Sequence, residues 1–369
     1  MIELLDLKAQ HIELEAQLVD AFREVLRAGR FVPADRPVSF EERLAQYCGR
    51  RHAVCVANGT AAVQLALIAA GVGEGDEVIT VPNTFYATAE AIVHSGASPR
   101  FCDVEDATLL MNIEAALAAV TSRTRAIVPV HLFGQVVDVP RLKTALIERG
   151  RGDILIVEDC AHAIGATAEE AAVPLGDIGA FSFNPVKNLG SVGDCGGVVT
   201  DDDRIAERLF SLRDHARAQK NEHSAIGYNL RPSILAMRVL EIKLQHLSEW
   251  NGRRQWIAAQ YDRAFSQLHQ IAPVQVPTLT TSARHLYVIK CKERNALQSH
   301  LKENGVATNI HYPKLIPDQK GMEAIRPLGG EWPVARSALN QILTLPCHPN
   351  MRDDDVSRVI ECVREFAQR

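Results

Sequence analysis

Between residues 53 and 200, short apolar runs alternate with helix-patterned segments, and this alternation restricts the fold more than any other feature of the chain. Ala53-Val54-Cys55-Val56 reads as a strand, followed by the turn Asn58-Gly59-Thr60 and an Ala- and Leu-rich helix over 61–70. Further strands are expected at 77–81, 99–104, 125–131, 153–158 and 195–200, with helices at 84–96, 113–120 and 139–149. A β-rich run also ends at Asn184-Pro185. Strands joined by helices of this length build crossover units, which give a mostly parallel sheet covered on both faces.

The flanks follow other patterns. Leu7, Ile12, Leu14, Leu18, Ala21, Phe22, Val25 and Leu26 recur at helical spacing, so one helix is expected over 7–29, stopped by Gly29. Ser39 with Glu42 three positions on makes a capping-box start for a second helix, ending near Gly49. Residues 203–217 form a charged helix, and 233–268 one or two long helices with Met237, Leu240, Leu244 and Leu247 as the buried stripe. Beyond them lie a strand at 285–291 and helices at 296–304 and 353–367. The expected organisation is a large α/β domain over 1–248 and a smaller α+β domain over 249–369.

The 369 residues carry a net charge of −5 and no basic block, which argues against a nucleic-acid partner. No apolar run is long enough to span a bilayer. Met1-Ile2-Glu3-Leu4-Leu5-Asp6 lacks the pattern of a signal peptide, so the cytoplasm is the expected compartment. The eight cysteines include no CxxC pair; they read as reduced thiols, and no metal site is expected.

Four stretches carry candidate chemistry. Asn58-Gly59-Thr60-Ala61 opens a helix, where free N–H groups suit either a phosphate or an ordinary cap. Glu158-Asp159-Cys160-Ala161-His162 follows an apolar strand, at the strand end where α/β sheets bind ligands. Asp159 there suits a positively charged ring nitrogen or a helix cap, and His162 a nearby oxygen or the core. Phe85 offers a face for a flat ring or for core packing. Lys187 sits between Asn184-Pro185 and Gly190, Gly193, Gly196 and Gly197, with Ser182 close by. On its own it reads as a surface lysine in a glycine-rich turn. With the other three stretches it supplies a Schiff-base amine to a pyridoxal phosphate site.

The ordered series Asp6-Leu7-Lys8-Ala9-Gln10, Asn58-Gly59-Thr60-Ala61-Ala62, Asn83-Thr84-Phe85, Asp103-Val104, Pro129-Val130-His131-Leu132-Phe133-Gly134, Glu158-Asp159, Lys187-Asn188, Gly227-Tyr228-Asn229-Leu230-Arg231, His285-Leu286-Tyr287-Val288 and His311-Tyr312-Pro313 resembles the DegT/DnrJ/EryC1/StrS sugar aminotransferases. The resemblance implies a fold-type-I pyridoxal phosphate enzyme whose large domain holds a mostly parallel, seven-stranded sheet. It implies Lys187 as Schiff-base lysine and proton carrier, Asp159 on the pyridine nitrogen, His162 beside the ring hydroxyl oxygen and Phe85 stacked on the ring. Gly59, Thr60, Ala61 and Ser182 would bind the phosphate, joined by Asn229 from the neighbouring subunit of a homodimer with shared sites. His311 and Tyr312 would lie near the substrate. The implied reaction moves an amino group from L-glutamate to a keto group of a nucleotide-linked sugar. Lys187-Asn188-Leu189-Gly190 with Gly193-Asp194 resembles the branch acting at C-3 of dTDP-3-keto-6-deoxyhexoses. Action at C-4, action on a ketocyclitol, and cofactor binding without catalysis remain as alternatives. Two segments depart from the pattern: Asn184-Pro185-Val186 replaces Tyr-Pro-Gly, and Leu315 and Pro317 precede Gln319 where a histidine is usual.

Overall fold

The computed structural model describes residues 1–33, 39–325 and 328–368. Its centre is a seven-stranded sheet made of β1 (His52–Val56), β2 (Glu77–Thr80), β3 (Ser98–Phe101), β4 (Thr124–Ile127), β5 (Leu155–Asp159), β6 (Ile178–Ser182) and β7 (Gly196–Thr200). The spatial order is β1-β7-β6-β5-β4-β2-β3. Strand β7 runs antiparallel to both neighbours, and the other pairings are parallel. The expected mostly parallel sheet is therefore present. Its parallel members all end at the same edge, and the turns that follow them meet there.

Helix α4 (Gly59–Ala69) lies on this sheet with Ala61, Ala62, Val63, Leu65, Ala66, Leu67 and Ala69 all buried. A helix apolar all round belongs between layers. Its alanines let the helix approach the strands and helices α5 (Tyr86–His94) and α8 (Asp203–Arg213) closely. The opposite face is covered in part by α3 (Ser39–Tyr47) and α9 (Ile234–Leu244), whose Phe40, Leu44, Met237 and Leu240 share one core cluster.

Helix α10 (Leu247–Phe265) starts in that cluster at Leu247 and continues into another, through Ile257, Tyr261 and Phe265. The second cluster packs β8 (Ile271–Pro273), β9 (Tyr287–Cys291) and β10 (Ile342–Leu345), an antiparallel sheet in the order β8-β9-β10, against the helices 294–303 and 353–367. Ile2 pairs with Val306 and packs on this cluster too.

Several sequence expectations shift. The 7–29 helix is two, Leu7–Ile12 and Glu15–Ala28, because Leu14 leaves helical geometry to turn its side chain into the core. Gly29 does stop the second, in the left-handed region at φ 62°. Ser39 lies inside its helix, not at the cap, and its hydroxyl bonds Glu241 Oε1 at 2.5 Å. The charged helix stops at Arg213, and 217–219 pairs with 222–223 as a small ribbon. Residues 233–268 hold two helices, and β8 and β10 were not anticipated.

Strand β1 is an edge, so one side of its backbone has no strand to bond. At Cys55 a buried ion pair takes that place. Glu41 accepts the Cys55 N–H at 2.7 Å, Arg213 donates to the Cys55 carbonyl at 2.6 Å, and the two side chains bond each other. Replacing Glu41 by Gln leaves the buried Arg213 uncompensated. We expect a loss of about 3 kcal/mol in urea unfolding, against no measurable loss for an exposed turn control such as Glu74→Gln.

Candidate active site

The turn after β1 is closed by Asn58, whose side chain accepts the Ala61 N–H at 2.8 Å while its carbonyl takes Ala62 N–H at 3.1 Å. The first two helical N–H groups, of Gly59 and Thr60, have no partner within the helix and sit at its positive end. Gly59 is required here, since a Cβ would fall 2.6 Å from the Ser182 Cβ. That close approach brings the end of β6 against the helix start. Ser182 accepts a long bond from Asn184 N–H (3.4 Å), so its own proton is free to be donated. Gly59, Thr60 and Ser182 line one wall of a cavity of about 480 Å³, which also takes in Phe85, Asp159, His162, Lys187, His311 and Tyr312. The structure therefore brings together the expected site residues, with two exceptions. Ala61 is set back, with its N–H spent on Asn58. Asn229 is exposed outside this cavity, its Oδ1 accepting from Arg231 at 3.0 Å.

Asp159 is buried at the last position of β5. One carboxylate oxygen accepts from Thr88 at 2.8 Å and the other from Ala161 N–H at 3.1 Å, which fixes its orientation toward the cavity it lines. His162 Nδ1 accepts the Phe133 N–H at 3.3 Å, so its proton lies on Nε2 and it presents a donor. Burial, and then the charges of Lys187 and His311, hold this ring well below its ordinary pKa. Phe133 provides that N–H from a left-handed conformation (φ 63°), and Gly134 beside it touches the backbone of Arg284 and His285 too closely for any Cβ.

Lys187 rides on a tight turn. Its N–H bonds the Asn184 carbonyl at 2.9 Å, Ser191 N–H returns to Phe183 at 2.9 Å, and Gly190 packs against the Pro185 carbonyl. The buried Lys243 anchors the turn from below, donating to the Gly190 carbonyl at 2.7 Å and to His11 Nε2 at 2.9 Å. Among the described residues the Lys187 amine has no hydrogen-bond partner. Burial lowers its pKa from 10.5 to about 8, against the upward pull of Asp159. An amine with that pKa is about one-tenth neutral at pH 7 and half neutral near pH 8, whereas an unperturbed lysine is almost fully protonated at both.

Phe85 caps α5 at the cavity mouth with 56% of its surface exposed, and its ring lies 5.6 Å from that of Tyr312. His311 bonds Thr344 at 2.9 Å, and burial followed by the Lys187 charge lowers it to about 4. The Tyr312 phenol is pushed up by burial, then by Asp159.

Three contributors escape a reading by sequence alone: Thr88, Asn188 and His285. Thr88 orients Asp159 from 71 positions away. Asn188 donates to Asn251 Oδ1 and the Ala283 carbonyl, both at 2.8 Å, and its Oδ1 meets His285 Nδ1 at 2.9 Å. Its place directly after Lys187 is the one local signal. His131, Glu158 and Cys160 have metal-like spacing, but both imidazole nitrogens are committed, to Glu158 at 2.6 Å and Val137 N–H at 3.1 Å.

The family model of the DegT/DnrJ/EryC1/StrS aminotransferases matches residues 13–364. The chain belongs to that family. It is 38% identical to the dTDP-3-amino-3,4,6-trideoxy-alpha-D-glucose transaminase of Streptomyces venezuelae, over 100% of this chain and 97% of the relative. It is 36% identical to a pleiotropic regulatory protein of Geobacillus stearothermophilus, over 99% and 98%. The crystal structure of S. venezuelae DesV superposes with a TM-score of 0.96 at 38% identity, covering 100% and 99% of the two chains. The fold is that of the type-I aminotransferases, and the cofactor is pyridoxal 5′-phosphate. The donor set fits that group: two helix N–H groups and hydroxyls suit its phosphate, and the buried Asp159 suits its protonated ring nitrogen. When bound, the cofactor supplies an electron sink; the chain supplies position and proton transfer.

Two outcomes follow from this geometry. Because the folded pKa of Lys187 is depressed, the unfolded chain binds more protons between about pH 8 and 10.5, and stability from this group rises with pH across that window. In cofactor-free protein, labelling of the Lys187 peptide by a small amine reagent, read by mass spectrometry, should have its midpoint near 8; a midpoint near 10.5 refutes a buried, poised amine. Gly59→Ala should weaken pyridoxal phosphate binding by about tenfold to a hundredfold, measured by fluorescence titration, since the new methyl parts the helix from Ser182.

Proposed function

We propose that this protein transfers the amino group of L-glutamate to the keto carbon of a nucleotide-linked sugar, at C-3 of a dTDP-3-keto-6-deoxyhexose. The observation that carries the reading is the amine of Lys187, unpartnered among the described residues, with its pKa drawn to about 8 in the same cavity as the carboxylate of Asp159. The family membership supports the aminotransfer reaction, and the names of the similar proteins support a sugar nucleotide as acceptor.

In this reading Lys187 takes and returns the proton at the reacting carbon. Asp159, held by Thr88, keeps the ring nitrogen protonated, and the His162 Nε2–H meets the ring oxygen. Phe85 covers one ring face; Gly59, Thr60, Ala61 and Ser182 form the phosphate cradle, with Ala61 acting through the Asn58 cap. His311 and Tyr312 border the sugar. The working unit is a cytoplasmic homodimer with shared sites, and Asn229 serves the partner's phosphate, consistent with its exposure away from its own cavity. Ile12, Phe22, Leu26, Phe31 and Val32 leave an exposed apolar surface of the kind a second copy covers. The chain divides near 248/249, within α10.

The reconstituted protein should absorb as a pyridoxal enzyme, shift its spectrum with glutamate, and aminate a dTDP-3-keto-6-deoxyhexose. Lys187→Ala should lower turnover at least about a thousandfold. Product from 4-keto sugars or ketocyclitols only would move the assignment away from C-3. Mixing Lys187→Ala with Asn229→Ala subunits should recover part of the activity if sites are shared.

A further inference from the structure

One ring nitrogen on the cavity wall is not used by the cofactor contacts proposed above: Nε2 of His285. The Asn188 amide fixes the state of this ring. Its Nδ2 group is spent on Asn251 Oδ1 and the Ala283 carbonyl, so the edge facing His285 is the carbonyl oxygen. His285 must then carry its proton on Nδ1 and a bare lone pair on Nε2. Among the described residues Nε2 has no hydrogen-bond partner. It is also not one of the sealed, unpartnered side-chain atoms of the interior, and His285 lines the cavity. The lone pair therefore opens onto the site.

Its neighbour His162, with ring centroids 4.4 Å apart, has the opposite tautomer and offers a donor. The two rings thus divide the work. The ring oxygen and phosphate of the cofactor are acceptors and match His162 and the cradle; the ring N–H matches Asp159. None of them has a proton to give His285. Burial, with His162, Lys187, Arg254 and His311 around it, keeps the His285 ring neutral, so the lone pair persists across the working pH range.

We propose that His285 is a specificity-determining residue: its Nε2 accepts a hydrogen bond from a sugar hydroxyl on a carbon next to the keto carbon, selecting hydroxyl-bearing substrates over their deoxy counterparts. The inference rests on the sugar-aminotransferase reading above. A site arranged around one hydrogen bond rejects an analogue that cannot make it, because the buried acceptor is then left dry and unpaired.

The test compares a dTDP-3-keto-6-deoxyhexose with its 2-deoxy and 4-deoxy counterparts. The wild-type enzyme should prefer the hydroxyl-bearing sugar over one of the two by about tenfold or more in kcat/KM. In His285→Phe that ratio should fall to about one, mainly through KM, and His285→Gln, which offers a carbonyl oxygen, should restore part of it. The glutamate half-reaction, followed by absorbance, should lose far less than the sugar half-reaction. A wild-type ratio near one for both deoxy sugars overturns the proposal without any variant. So does an equal loss in both half-reactions, which would place the lone pair on the transferred amino group. If glutamate causes no spectral change and no keto sugar is aminated, the functional reading itself has failed. Calorimetric binding of the same sugars to Lys187→Ala protein then still decides whether His285 reads a hydroxyl.

Discussion

The buried amide of Asn188 ties the molecule together at its most sensitive point. One side chain of fixed orientation joins the turn of Lys187 to α10 through Asn251, to the 282–286 segment through Ala283, and to the ring of His285. Asn251 passes the connection on to the Ile164 carbonyl beyond β5. An amide suits this position because it offers donors and acceptors at once. A carboxylate would lose two donors and charge the network, and an aliphatic residue would leave three partners unpaired in the interior. Lys187 is thus placed by contacts that begin one residue away and end in another part of the fold.

Around this point the protein tolerates buried positive charge that no carboxylate among the described residues neutralises. Lys243 is held by a carbonyl and an imidazole, and Arg254 by the Cys347 carbonyl, its Nε unpaired; burial lowers both, to about 8 and about 10. Such groups are costly unless they hold something in place. Lys243 holds Gly190, and with it the turn of Lys187, to α9 and the first helix. Arg254 holds the segment that carries His285, through Cys347 and a longer bond to the His285 carbonyl at 3.5 Å. Arg254 stands behind the cavity wall and, after burial and the charges of His162 and Lys187, opposes protonation of His285; Lys243 does the same to His11 in the first helix.

Much of this was legible in the chain because its signals are local. Alternating apolar runs and helices give the parallel sheet, and the strand-end position of Asp159 and the turn at Gly59 follow from it. What stayed hidden depends on distant partners. Leu14 looks like one more apolar step in a long helix, yet its backbone leaves helical geometry there and its side chain is buried. Ser39 and Glu42 have the spacing of a cap, yet the serine hydroxyl is drawn to Glu241, 202 positions away. His285 in a sequence is one histidine before a strand; its tautomer is set by Asn188, 97 positions earlier. Short strands such as β8 and β10 carry too few residues for period-two alternation to stand out.

The two histidines on the cavity wall show why such long-range settings matter for chemistry. His162 and His285 are the same residue type, both buried and both neutral, and their rings are in contact. Composition and burial cannot tell them apart. The difference comes from the second ring nitrogen. A backbone N–H from Phe133 makes His162 a donor, and a carbonyl oxygen from Asn188 makes His285 an acceptor. The first setting depends on a non-glycine residue held at positive φ, which is costly and persists only where the surroundings impose it. The second depends on an amide whose other edge is already committed. His162 is thus specified by a backbone N–H and His285 by a side-chain amide, each at one ring nitrogen, and the cavity receives one donor and one acceptor side by side. In the proposed reading, a cofactor rich in acceptor oxygens would use the donor, and the acceptor would be left for a ligand that brings its own proton.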